Sequence, residues 1–285
     1  MNARGMQHNK LGEIGKGQDG AIFGGYIFHF DGSGKCEVYC LKTFELISEF
    51  QVDKSDLIIP HSNAVCFGSE YYAEGDEFPL LYTNIYNNYG SQEDKMEGAC
   101  CVYRIIKNGS VFSSKLVQFI RVGFVNDNDL WRSKNIEDIR PFGNMVVDCE
   151  KQKLFAFVMR DEERKTRFFE FNLPKLSDGI YDEKLGVNTV VLQKNDICRM
   201  FDGSYMRLMQ GACMHNGYIY SVEGDTGGVD RTPAIRIFDA RRGEAVFEKE
   251  LVQYGLNIEP EFIDVYDDTV YYADASGAFY ELFFE

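Results

Sequence analysis

Five segments of this chain repeat one arrangement: an aromatic residue followed by a polar residue or cysteine, set in a short apolar strand. They are Val38-Tyr39-Cys40-Leu41, Val102-Tyr103-Arg104-Ile105, Phe168-Phe169-Glu170-Phe171, Ile237-Phe238-Asp239-Ala240 and Phe279-Tyr280-Glu281-Leu282. The aromatics fall at 39, 103, 169, 238 and 280, so the intervals are 64, 66, 69 and 42 residues. Such a recurrence means one supersecondary unit stacked on copies of itself, because a single unit cannot bury its apolar faces alone. An apolar hairpin precedes each segment. The first turns at Gly24-Gly25, the second across a long acidic loop between 67 and 80, the third between Asp148 and Lys153, the fourth at Asn216-Gly217 and the fifth at Asp267-Asp268. Asn-Gly between apolar runs is the strongest short hairpin signal, since both turn residues tolerate positive φ. A fourth strand follows in most units, at 45–52, 111–122, 189–193 and 245–252. With 23 Phe, 17 Tyr, 27 Gly and only 6 Pro, the composition favours strands and tight turns, an all-β fold.

Each unit therefore reads as four antiparallel strands. Five such sheets set radially leave only short, protected edges. On these repeats the chain resembles the five-bladed β-propellers, as an architecture and over nearly its whole length. The stretch Tyr39-Cys40-Leu41-Lys42-Thr43 looks like the third strand and turn of WD40-like or quinoprotein-like blades, although the Trp-Asp dipeptide of the former is absent. The units fall at about 17–53, 61–122, 140–193, 209–252 and 259–285. The last lacks a fourth strand, and residues 9–14 have no unit of their own. The N-terminal piece is expected to supply the missing outer strand and close the ring, making one domain of 1–285.

The charge balance excludes two partner classes. Against 30 Lys and Arg stand 45 Asp and Glu, a net charge of −15. Neither a nucleic-acid backbone nor an anionic membrane surface attracts such a chain. No apolar run approaches the ~18 residues of a membrane span. The first twenty residues are polar, so the expected location is cytoplasmic; a secreted chain freed of its leader would read the same. The eight cysteines form no C-x-x-C pair and no regular framework, which points to buried free thiols in a reducing compartment. Cys100 and Cys101 would face opposite sides of one strand.

What the resemblance implies about function lies at one mouth of the central channel. There the starts of the innermost strands meet the ends of the second strands. The starts carry Gln18-Asp19-Gly20, His61-Ser62-Asn63, Arg140 to Asn144, Met209-Gln210-Gly211 and Glu259-Pro260-Glu261. The ends carry His29 and Asp31, Asn84 to Asn87, Arg160-Asp161, Glu223-Gly224-Asp225 and Asp274. The same face receives the long connections 123–139, which holds the single tryptophan Trp131, and 194–208. Polar loops on a rigid scaffold are where binding concentrates. A small polar molecule or glycan is the expected ligand. His61, Asn63, Arg140, Asn144, Arg160 and Gln210 would supply hydrogen bonds, and Trp131 or Tyr86 would stack on a sugar face. Buried polar residues on inner strands equally often serve only to bond neighbouring blades.

Two other readings compete. A protein-interaction scaffold would use a broad surface and leave the polar ring structural. A glycoside-hydrolase-like enzyme needs two carboxylates about 5–9 Å apart, with Asp19, Glu223, Glu261 and Asp274 the candidates. The His61, Asn63, Asn144 and Arg160 of the second and third units depart from arabinanase-like propellers, whose acids lie in the first three blades. No metal site is indicated and no cofactor is expected, although clustered oxygens at Asp127-Asn128-Asp129 or Glu223-Gly224-Asp225 would suit a divalent cation. Two motif matches mislead. Gly15-Lys-Gly17-Gln-Asp-Gly20 spells G-x-G-x-x-G, but an apolar hairpin rather than a helix follows. Asn108-Gly109-Ser110 spells a glycosylation sequon but reads better as the turn between two strands.

Overall fold

In the computed structural model the described residues are 4–58, 61–85, 98–125, 140–159, 165–203, 208–227 and 232–285. They form a five-bladed β-propeller. Blade I is β2 (Gly20–Phe23), β3 (Tyr26–Phe30), β4 (Lys35–Cys40) and β5 (Leu46–Gln51). Blade II is β6 (Val65–Phe67), β7 (Leu81–Ile85), β8 (Ala99–Asn108) and β9 (Val111–Val122). Blade III contains β10 (Arg140–Asp148), β11 (Lys153–Met159) and β12 (Arg167–Asn172). Blade IV is β16 (Met209–His215), β17 (Tyr218–Glu223), β18 (Ala234–Asp239) and β19 (Glu244–Glu250). Blade V is β20 (Pro260–Tyr266), β21 (Thr269–Asp274) and β22 (Ala278–Phe284).

The N-terminal strand β1 (Met6–Glu13) completes blade V. It pairs antiparallel with β22, from Met6 opposite Phe284 to Glu13 opposite Ala278. The ring is thus closed by two strands from opposite ends of the chain, as the strand count requires. The hairpin turns take the geometry their residues allow. Asn216 and Gly217 have φ of 51° and 79°, and Asp267 and Asp268 have 48° and 60°, which match the right-handed strand twist.

One expectation is corrected. Blade III does not end with residues 189–193. Its outer strand is β15 (Ile197–Asp202), paired with β12. Residues 189–192 belong to β14 (Val187–Leu192), which leaves its own blade, lies parallel to β9 and carries β13 (Ile180–Asp182) outside it, giving blade II six strands. The pattern of Thr189-Val190-Val191-Leu192 specifies a strand but not the edge it joins. β14 pairs with the last five residues of β9, Gln118–Val122, while the outer edge of β12 is taken by β15.

The blades are apolar on both faces because each is sandwiched between two others. Adjacent strand residues point to opposite sides, and the cores follow that alternation. Leu81 packs between blades I and II, and Tyr82 between II and III. Phe155 packs between III and IV while Leu154 turns back to II. Phe262 faces blade I and Ile263 faces blade IV. Cys101 and Cys100 divide in the same way, as expected. All eight thiols are free, but only five are buried: Cys40 and Cys149 are half-buried and Cys198 is exposed, against the expectation that all are buried. Each fully buried Phe, such as Phe28, Phe157 and Phe168, contributes about 1.5–3 kcal/mol of transfer free energy to these interfaces.

Candidate functional site

An inner propeller strand is paired along one edge only. Its other edge faces the channel with N–H and C=O groups that must find partners. The polar residues at the starts of the inner strands meet that need first. Asp19, fully buried, sends its carboxylate into the channel, where it accepts from Val65 N of blade II at 3.0 Å, Ala212 N of blade IV at 3.3 Å and Ile263 N of blade V at 3.2 Å. One side chain from blade I thereby ties three other blades. Burial pushes its carboxyl well above the usual range, against the N–H groups that pull it down. Gly211 makes this convergence possible: a Cβ there would stand 2.6 Å from Glu261 O and 2.9 Å from Asp19 Oδ1.

Asparagines stitch the remaining blades. Asn63 Nδ2 donates to Met209 O at 3.1 Å, and Asn144 Nδ2 to Asn63 O at 3.1 Å and Gln210 O at 3.2 Å. Asn84 accepts from Ala64 N at 2.6 Å and donates to Gly143 O. Asn63 and Asn144 each keep a buried Oδ1 with no hydrogen-bond partner among the described residues.

The four carboxylates singled out by sequence separate into two kinds. Asp19 holds the ring. Glu223 is fully buried against Arg236, whose Nε donates to it at 2.7 Å; Arg236 reaches Glu248 as well. Asp274 caps the turn after β21, accepting from Ser276 N at 2.9 Å, the Ser276 hydroxyl at 2.5 Å and Ala278 N at 3.3 Å. Glu261 differs. It is 5% exposed, and its one described hydrogen bond is a long one, from Gln18 Nε2 at 3.5 Å. Burial, reinforced by the nearby Glu259 and Asp19, raises its carboxyl well above the ordinary range. Glu259 is itself raised by burial and by Asp225, and accepts from Gln210 Nε2 at 2.6 Å. Gln210 also bonds Gly224 O at 3.2 Å.

Of the predicted hydrogen-bonding residues, the structure thus brings Asn63, Asn144 and Gln210 together in the channel. His61 is half-buried beside the blade I turn, its Nδ1 3.2 Å from where a Cβ on Gly32 would stand. The backbone of Arg140 pairs with Met159 in blade III. Arg160, Trp131, Tyr86 and Asp127-Asn128-Asp129 lie outside the described residues. Sequence reasoning passed over Gln18 and Glu259, although both sit in the strand-start segments it marked. Among the described residues no cluster of three His, Cys, Asp or Glu side chains is arranged to hold a metal. Asp225 caps its own loop by accepting from Gly227 N at 2.9 Å. Burial raises the Cys66 and Cys213 thiols, which keeps them protonated and poorly nucleophilic.

No protein-family model matches the chain, and no curated protein matches it in sequence. Solved structures do. Glutaminyl cyclase from Myxococcus xanthus superposes with a TM-score of 0.53 over 98% of this chain and 97% of that one, at 10% identity. Sqt1 from Saccharomyces cerevisiae gives a TM-score of 0.38 at 8% identity, covering 91% of this chain and 54% of its own. BamB from Moraxella catarrhalis gives 0.33 at 10% identity, covering 95% and 58%. The first supports the fold from end to end. At these identities the likeness is one of architecture, and a shared fold does not transfer a function. Among the described residues no helix is long and apolar enough to cross a membrane.

Proposed function

We propose that the channel mouth at the starts of the inner strands binds a small hydroxyl-bearing molecule, a polar metabolite or a glycan end, with Glu261 at its centre. The observation that carries this reading is the difference between Glu261 and the other three carboxylates. Asp19 and Asp274 each accept from three donors of the fold and Glu223 is ion-paired to the buried Arg236, whereas among the described residues Glu261 is buried with a single long hydrogen bond. A buried carboxyl is costly unless something repays it, and a ligand hydroxyl is a suitable partner for both its oxygens. Glu259, Gln18 and Gln210 would flank that ligand, and the free Oδ1 atoms of Asn63 and Asn144 would accept from further hydroxyls. A carboxyl whose burial favours the protonated form, beside a more exposed acid, also suits general acid–base work, so any hydrolase-like reading rests on Glu261 with Glu259 rather than on Asp19, Glu223 or Asp274.

A thermal-shift panel of monosaccharides, oligosaccharides, nucleotides and amino acids tests the reading. A ligand at 100 times its Kd adds about 2.7 kcal/mol of stability. A compound that raises Tm in the wild type and loses most of that effect in Glu261→Gln supports the site. A panel without a hit, or hits that Glu261→Gln binds equally well, overturns it.

A scaffold function has one observation of its own. Strand β13 forms the outer edge of blade II with Ile180 82% and Tyr181 62% exposed, and an unpaired apolar edge is a natural docking template. Loss of a captured partner on Ile180→Lys would favour it.

A further inference from the structure

The opposite mouth of the channel holds a separate cavity of about 310 Å³, at the ends rather than the starts of the inner strands. All five blades contribute to it. Blade I supplies Ile22 and Phe23, blade II Cys66 to Gly68, blade III Asp148 to Glu150, blade IV Cys213 to Asn216 and blade V Asp264 to Tyr266. Its volume lies at the lower end for small-molecule pockets.

The charge of its lining is one-sided. Three acids, Asp148, Glu150 and Asp264, line the cavity without a lysine or arginine among the lining residues; His215 is the only basic group and bonds Asp268 at 3.0 Å. Asp264 accepts from Ile22 N at 2.6 Å and Val265 N at 2.8 Å, and from the Cys213 thiol, which leaves part of the carboxylate's accepting capacity unused. Asp148 is 3% exposed. Its Oδ1 caps the β10–β11 turn, accepting from Glu150 N and Lys151 N, both at 3.1 Å. Its Oδ2 has no hydrogen-bond partner among the described residues; it forms a 3.7 Å ion pair with the half-exposed Lys151 ammonium. The remaining walls are aromatic or soft: Phe23, Phe67, Tyr266 and Met214. Carboxylates with aromatic faces form the combination that recognises an organic ammonium, through charge-assisted hydrogen bonds and cation–π attraction.

We propose that this second mouth is a binding site for a small primary ammonium carried on a short apolar chain, with Asp264 and Asp148 receiving the ammonium and the aromatic walls receiving the chain. The site is independent of the Glu261 mouth. Burial raises the Asp264 carboxyl to about 7, so at pH 8 it is mostly charged.

The test uses the full chain labelled at its methionine methyl carbons, titrated with n-butylamine at pH 8 and, separately, with n-butanol as the neutral probe of similar shape. The Met214 resonance, assigned by its loss in Met214→Leu, is the reporter. The expected result is a saturable shift with butylammonium and at least tenfold weaker binding of butanol. Asp264→Asn should weaken butylammonium at least tenfold. Glu150→Gln, at an exposed position that the fold does not depend on, should weaken it severalfold and covers the case in which Asp264→Asn does not fold. Glu261→Gln should leave the titration unchanged. No Met214 shift, equal response to butanol, or unchanged affinity in both acidic variants overturns the proposal.

Discussion

If Asp19 is the bolt of the ring, replacing it must cost in proportion to the donors it leaves behind. Asp19→Ala strands three backbone N–H groups from three blades, those of Val65, Ala212 and Ile263, in a fully buried position. Each buried donor left without an acceptor costs about 1–3 kcal/mol, so the variant should lose about 3–9 kcal/mol. That is comparable with the ~5–15 kcal/mol that holds a whole domain. Asp19→Asn is a milder perturbation with the same shape. Its oxygen can serve Val65 and Ala212, which share Oδ2, while its amide faces Ile263 N; one bond is lost, at about 1–3 kcal/mol. At about 2 °C per kcal/mol for a chain of this size, asparagine should lower Tm by about 2–6 °C. Alanine should lower it by about 6–18 °C or prevent folding. Urea and thermal melts of purified variants give both numbers. An alanine variant within 0.5 kcal/mol of wild type, or an asparagine variant less stable than the alanine one, would refute the assignment of Asp19 to the fold.

Further outcomes follow from the same contacts. Asn9 and Glu281 are register partners whose side chains bond at 2.9 Å across the closing strands; an Asn9→Cys, Glu281→Cys disulfide should raise stability by up to about 5 kcal/mol over its reduced form, and an unchanged melt would mean the ring is not closed there. Glu223→Gln leaves Arg236, 4% exposed, without its buried counter-charge and should cost about 3–5 kcal/mol, which a denaturant titration reads directly. Two buried groups oppose each other in pH dependence. Asp264 sits near about 7 by burial, above the ordinary 3.8, so its contribution is complete below about pH 4 and lost as pH rises to 7, roughly 4 kcal/mol in all. Burial lowers His29 from 6.5 to about 4, so its contribution is complete above pH 6.5 and lost as pH falls to 4, roughly 3 kcal/mol. Relative to wild type, Asp264→Asn should therefore gain stability as pH rises through this window and His29→Gln should lose it; urea midpoints from pH 4 to 7.5 that keep the wild-type slope in both variants would contradict the two assignments.

The five blades could be read from the chain because local chemistry and global fold agree. Gly24-Gly25, Asn216-Gly217 and Asp267-Asp268 fix hairpins, and strands apolar on both faces can only be sandwiched. The exchange of β14 into blade II could not be read, since Thr189 to Leu192 encode a strand but carry no label for the edge it joins. The channel was legible as a place and not as a set of roles. Asp19 and Glu261 look alike in sequence, each an acid at the start of an inner strand. What separates them is how many backbone N–H groups reach each carboxylate, and only the arrangement of the blades decides that. Asp148 and Asp264 did leave a signal. Each is an acid set in an apolar run of the later half of an inner strand, in Met145-Val146-Val147-Asp148 and Phe262-Ile263-Asp264-Val265, a position where a carboxylate is expensive unless it meets donors or a ligand.

The most direct measurement of the central claim is a crystal structure of the protein soaked with the strongest ligand from the thermal-shift panel. The account predicts density at the starts of the inner strands, with a ligand hydroxyl in hydrogen-bond contact with Glu261 and a second group near Gln210 or Asn144. Density bound elsewhere on the molecule, with Glu261 keeping only its contact to Gln18, would contradict it.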